Sequence, residues 1–228
     1  MAEKIKLHDF IEIDYTGRLN DGTVFDTTEE NVAKEARLPT ENANFKAMRI
    51  CVGEKQVIPG LDAGLIDKET GKVYEVKLAP EGAFGKKDIK KMKIMPMGAF
   101  KEHNMQPQPG LQIDVDGQRG TITRVSGGRV IVNFNHPLAG REVTYKVKIN
   151  RIITDVKEKI SSFINTTLRV PEDKVKIEIV EKKATVELPM QLPEQFTEAI
   201  GKKLAELVGL KELQFNNPTV KKEEPKQG

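Results

Sequence analysis

The stretch IDYTGRLNDGTVFDTT, residues 13–28, reads as two strands and the turn between them. Ile11, Ile13 and Tyr15 fall on one face of the first strand, and Glu12 and Asp14 on the other. That is the period of two that a half-buried strand requires. Asn20-Asp21-Gly22 supplies the positive φ that a hairpin turn needs. Val24 and Phe25 begin the return strand, and Asp26 follows directly. A carboxylate beside an apolar cluster is either a paired structural acid or the polar group of a pocket.

Outward from the hairpin, residues 26–44 are polar and read as loop, and MRICV at 48–52 returns to strand character, with Cys51 a buried strand residue. In GEKQVIPGLDAGL, residues 53–65, Pro59 suits the first turn of a short helix on which Leu61 and Leu65 share a face. Tyr74, Val76 and Leu78 alternate as a strand, and APEGAFG at 79–85 makes a glycine-rich corner. From Lys86 the character changes. Residues 86–110 join a lysine cluster (Lys86, Lys87, Lys90, Lys91, Lys93) to four of the seven methionines. LQIDV, TITRV and RVIVNF then read as short strands, punctuated at Asp116-Gly117 and Gly127-Gly128. In REVTYKVKIN, residues 141–150, Val143, Tyr145, Val147 and Ile149 share one face.

A third section begins near Thr154, a candidate N-cap for a helix with Val156, Ile160, Phe163, Ile164 and Leu168 in a stripe, closed by Pro171. KVKIEIV and ATVELP follow as strands joined by a tight turn near Lys182 and Lys183. Residues 193–210 form a second amphipathic helix with Phe196, Ile200, Leu204, Leu207 and Val208 on its apolar side and Gly209 as its stop. NNPTVKKEEPKQG, from residue 216, reads as a frayed polar tail.

Composition bounds the function. Hydrophobic residues at 38% are too many for a disordered chain, and 228 residues suffice for one to two domains. Thirty-seven basic against 34 acidic residues leave a net charge of +3, which argues against a dedicated nucleic-acid binder. One cysteine permits neither an internal disulfide nor a cysteine-based zinc site, and His8, His103 and His136 lack metal-ligand spacing. The N-terminus lacks the apolar core of a signal peptide, and no apolar run approaches the ~18 residues of a membrane span. A soluble cytoplasmic protein with no membrane association is the expectation. The residues alone present no catalytic triad, phosphate loop or metal set.

The order of motifs resembles the FKBP-type peptidyl-prolyl isomerases. IDYTGRLNDGTVFDTT, VGEKQVIPGLDAGL and GKVYEVKLAPEGAFG match that domain, and NHPLAG with VTYKVKINRI matches its end in the SlyD-like branch. There a module called insert-in-flap interrupts the domain after the glycine-rich corner. The section after residue 153 looks like that of long-chain archaeal members. The resemblance implies an α+β fold: an antiparallel β-sheet wrapped on a short helix, an inserted small β-rich domain and a C-terminal α+β domain. The boundaries it implies are 1–86 with 135–153, 87–134, and 154–228.

It also implies roles. Tyr15, Asp26, Phe84 and Tyr145 match catalytic positions, and Phe25, Met48, Val57, Ile58, Leu61 and Leu138 match the rest of the proline pocket. Three positions depart from the pattern: Leu61 where many relatives carry Trp, Phe84 for a Tyr, and Met48 for an aromatic residue. A shallower, less polar pocket follows. Met92, Ile94, Met95, Met97 and Phe100 of the insert are expected to bind unfolded polypeptide, since methionine suits surfaces that accept many partners. The implied partners are unfolded or nascent polypeptides containing X-Pro bonds. No cofactor is implied, and the tail KKEEPKQG lacks the His and Cys of nickel-binding relatives, so no metal is expected. The C-terminal section reads equally as a docking or homodimerisation module and as a stiffening domain. Two other readings stay open: a holding chaperone with little isomerase activity, and an assembly module.

Overall fold

A computed structural model of the chain describes residues 3–41, 45–102 and 104–216. Its elements begin with β1 (Phe10–Leu19), β2 (Val24–Thr27), α1 (Glu30–Glu35), β3 (Met48–Cys51), α2 (Pro59–Gly64) and β4 (Val73–Leu78). β5 (Met92–Pro96), α3 (Met97–Glu102), β6 (Gln112–Val115), β7 (Gln118–Ser126) and β8 (Arg129–Asn133) follow. The chain continues through β9 (Val143–Ile152), α4 (Val156–Leu168), β10 (Lys176–Val180), β11 (Lys183–Glu187), α5 (Glu194–Val208) and β12 (Glu212–Asn216). It folds as two compact units, Met1–Val76 with Thr144–Gly228, and Lys77–Val143. No described helix is long and apolar enough to cross a membrane.

In the first unit a sheet runs β2-β1-β9-β4, and β3 pairs antiparallel with the first half of β1. The alternation in β1 is realised: Ile11 and Ile13 are fully buried. Pro59 opens α2, and Leu61 and Leu65 are buried below it. The segment read as loop contains α1, which spans six residues and fully buries only Ala33. A helix that short carries too few apolar positions to show a 3.6-residue period.

The rest of the first unit is a three-stranded sheet, β10-β11-β12, covered by α4 and α5. β12 runs parallel to β11, with α5 as the crossover, a strand the sequence reading did not anticipate. Asp155, not Thr154, caps α4: its carboxylate accepts from the Glu158 amide at 2.8 Å. Arg169, in the left-handed region at φ 56°, ends the helix before Pro171 is reached. Phe196, expected on the apolar side of α5, is 43% exposed. The buried line runs instead through Thr197, Gly201, Leu204 and Ala205, one helical position around from Phe196. The expected frayed tail beyond Asn216, like His103, lies outside the described residues.

One apolar cluster joins the two sheets of this unit. Phe10, Cys51 and Ile153 pack with Ile160, Phe163, Ile164 and Leu204. Burial, chiefly, raises the Cys51 thiol to about 12, so it stays protonated. Around the cluster runs an ionic network. Arg49 Nε donates to Glu12 at 3.2 Å and its Nη1 to Glu172 at 2.9 Å. Arg151 donates to Glu12 at 2.9 Å and clasps the Glu158 carboxylate with both terminal nitrogens. Glu54, almost fully buried, pairs with Lys203 of α5.

The second unit is an antiparallel sheet in the order β5-β8-β7-β6. Asp116-Gly117 and Gly127-Gly128 make its turns, all four at positive φ. Phe100, Ile113, Ile122, Val130 and Val132 form its core. The methionine-rich stretch, to which the sequence reading assigned no element, supplies the edge strand β5 and the short α3.

The network makes a prediction about acid stability. Hydrogen bonds from Arg151 hold the Glu158 carboxyl below its ordinary range. A carboxylate depressed in the folded state adds stability above its unfolded pKa, about 4.3, and loses it as pH falls through the folded value. Thermal melts from pH 7 to pH 3 should therefore fall less steeply below about pH 4.3 in Glu158→Gln than in the parent. At pH 7 the variant should melt about 2–4 °C lower, as the loss of about 1 kcal/mol requires in a chain this long.

Candidate active site

The first hairpin positions the site. Gly17 of β1 stands opposite Asp26 of β2, and Thr16 opposite Thr27. The two threonine hydroxyls share a buried hydrogen bond of 2.9 Å. The Tyr15 amide donates to Thr28 Oγ1 at 2.9 Å, and the Thr28 amide returns to the Tyr15 carbonyl at 3.0 Å. These bonds fix the backbone from which Tyr15 and Asp26 project. The Tyr15 hydroxyl donates to Asp26 Oδ2 at 3.0 Å.

Aromatic packing completes the cluster. Tyr145 of β9 is 4% exposed. Its ring centroid lies 5.7 Å from Tyr15 and 5.6 Å from Phe25, the latter edge to face. Desolvation, and then the Asp26 charge, push both phenols above their ordinary range. Tyr15 is thus a protonated donor throughout the neutral range, and Asp26 is its acceptor. Gly17 makes the packing possible: a Cβ there would stand 2.6 Å from Phe25 Cζ and 3.1 Å from Tyr145 Cε1.

These side chains open on a cleft of about 1240 Å³. Tyr15, Phe25, Asp26 and Met48 line it. Tyr145 stands behind them, supporting Tyr15 and Phe25 rather than lining the cleft. Val57, Ile58 and Leu61 are not in its walls either; the first two are half-buried at the start of α2, and Leu61 is 1% exposed in the core. Leu38, Pro39 and Phe45 supply apolar wall that the sequence reading missed. They fall in a polar stretch without periodicity, where only their isolated apolar character could have signalled them.

In the second unit Phe84 stacks on His136, with centroids 4.6 Å apart and planes 2° from parallel. The His136 Nδ1 accepts from the Leu138 amide at 3.2 Å, and Leu138 is half-buried. On β5, Met92 is 42% and Ile94 65% exposed, while Met95 of β5 and Met97 at the start of α3 are half-buried. Phe100 is 5% exposed and belongs to the core of this unit, although it also edges a cavity of about 220 Å³ with Met95 and Met105. Among the described residues no three His, Cys, Asp or Glu side chains converge as a metal set.

Residues 1–101 match the family model of FKBP-type peptidyl-prolyl cis-trans isomerases, and residues 93–138 that of the FKBP26 IF domain. A short-type peptidyl-prolyl cis-trans isomerase of Methanocaldococcus jannaschii is 30% identical, over 67% of this chain and 96% of that protein. The chain belongs to the FKBP-type peptidyl-prolyl cis-trans isomerases. It is similar also to the FKBP-type isomerase SlyD of Treponema pallidum, at 27% identity over 62% of this chain and 74% of that one. Among solved structures, the three FKBP domains of wheat FKBP73 match 67% of this chain and 42% of that one, at 19% identity and a TM-score of 0.36, too loose a likeness to argue from. The candidate hairpin site of this FKBP-type isomerase lies inside the family match, while each of these relatives accounts for two-thirds of the chain or less.

The Gly17 contact is directly testable in the isomerase. Gly17→Ala should displace the Phe25 ring, which Tyr145 blocks from behind. The expected cost is about 1–3 kcal/mol, the range for overpacking. A lowered melting temperature with an altered near-ultraviolet aromatic signal checks it.

Proposed function

We propose that the Tyr15–Asp26 cleft is where this isomerase turns the X-Pro bond, and that its insert holds unfolded polypeptide while it does so. Rotation about the bond is opposed by a barrier of roughly 18–20 kcal/mol because it breaks amide resonance. The twisted amide has lost charge separation, so an apolar surface stabilises it relative to the planar ground state, and only such preference accelerates the step. A thousandfold acceleration needs only about 4 kcal/mol. Phe25, Met48 and Phe45 offer the apolar surface. Tyr15 and Asp26 offer the polar edge. In this reading Asp26 fixes the direction of the Tyr15 hydroxyl and places negative charge near the substrate carbonyl carbon. No nucleophile, metal or general acid enters the step. The single observation that carries the reading is the 3.0 Å hydrogen bond between a desolvated tyrosine and the carboxylate at the mouth of an aromatic cleft.

The insert supports the second half. Ile89, Met92 and Ile94 are all exposed within six residues of one another, next to a half-buried Met95 and Met97. Exposed apolar side chains clustered this way mark an interaction surface, and flexible methionines let it accept varied sequences. The clients are unfolded or nascent chains with X-Pro bonds, and the cytoplasm is where this chain would meet them.

Two measurements check this. Asp26→Ala should lower kcat/KM on a proline peptide about tenfold, equivalent to about 1.4 kcal/mol, with folding intact; undiminished catalysis rejects the site. Deleting residues 87–133 behind a short linker should spare short-peptide turnover but abolish most acceleration of proline-limited refolding of a protein. Suppressed aggregation without any acceleration by the full chain would instead favour a holding chaperone.

A further inference from the structure

The cleft does not end at the aromatic cluster. It runs on from Tyr15 and Asp26 to the end of α4 and the turn beyond it, where Thr166, Glu172 and Asp173 form its far wall. At about 1240 Å³ it exceeds the roughly 300–1,000 Å³ of a small-molecule site, so one prolyl residue leaves most of it unfilled. The far wall is held in place before any ligand arrives. Thr166 Oγ1 donates to the Arg49 carbonyl at 2.8 Å, and Arg49 reaches Glu172 at 2.9 Å. A wall already ordered costs a ligand little to organise.

Its charge is one-sided. Among the described residues the lining carries four carboxylates (Glu12, Asp26, Glu172, Asp173) and two cations (Lys46, Arg49), and Arg151 also pairs with Glu12. Arg49 is engaged with Glu12, Glu158 and Glu172. Asp173 is exposed and has no ion-pair partner among the described residues. At the end of the cleft built by the C-terminal section, Asp173 is therefore a carboxylate with no cation of the described residues paired to it.

We propose that the C-terminal section is the second wall of the substrate cleft, and that it reads the residues flanking the proline, favouring an extended polypeptide with Lys or Arg a few residues away. The inference rests on Tyr15 and Asp26 marking the prolyl site. It joins that site to a section of the chain to which the family match assigns no role, by continuity of one cavity and by complementary charge.

The test uses the full chain and proline peptides in which a single Lys or Glu is walked through three positions on each side of the proline. Both Kd and kcat/KM are measured for each peptide. At one position or more, Lys should be favoured over Glu about two- to fivefold, the range of one partly exposed ion pair. Raised salt should shrink the ratio. Asp173→Lys, a change at an exposed position, should abolish or invert it. Equal Kd for Lys and Glu peptides throughout, or a ratio unmoved by Asp173→Lys, overturns the proposal. The prolyl-site reading fails separately: full turnover in Asp26→Ala removes it, while the Lys-to-Glu ratio in Kd still decides for or against the acidic wall.

Discussion

The back of β1 is the constraint on which the first unit depends. Ile11 and Ile13 turn toward one core, while Phe10, Glu12 and Asp14 turn the other way. That second face is not solvated. Phe10 enters the cluster shared with α4 and α5, Glu12 accepts from both Arg49 and Arg151, and Asp14 accepts from Asn150 at 2.8 Å. The apolar contacts supply the attraction, which is proportional to area and indifferent to direction. The ionic network supplies orientation: guanidinium groups bind carboxylates in a fixed plane, so the C-terminal section docks in one register.

The charged face of β1 marks a limit of what alternation in a sequence encodes. Alternating Glu12 and Asp14 look like a water-facing stripe, because period-two patterning distinguishes polar from apolar faces and not solvent from a polar interface. Nothing local in residues 10–19 announces that Arg49, Arg151 and Glu158 will close over them. The strong local signals were read correctly: the Asn20–Gly22 turn, Pro59 at the head of α2, the alternation through Val143–Ile149, and Gly209 after α5. What escaped was short or long-range. α1 is too brief for a helical period to show, β12 finds its parallel partner only across the length of α5, and the cap of α4 falls one residue along, between two acceptable capping types.

The site was partly legible for the same reasons. Tyr15, Phe25 and Asp26 are brought together by a hairpin, whose register follows from its turn. Leu61, expected in the pocket, is 1% exposed, because a helix only six residues long must bury its apolar face to persist at all. Leu38, Pro39 and Phe45 reach the cleft only through tertiary structure, which no spacing rule encodes.

The order of strands also sets a schedule for the chain's own synthesis. β1 is made first, yet its neighbours in the sheet include β9, and the chain passes through the whole of Lys77–Val143 before β9 exists. Contacts so distant in sequence carry the loop-closure cost before they return any stabilisation, and they slow folding accordingly. The second unit pairs β5 through β8 within itself, so all of its strands have been made before β9 supplies the remaining neighbour of β1. Until β9 is made, the edge of β1 that it will cover presents a row of unpaired N–H and C=O groups, the hazard of any open strand edge.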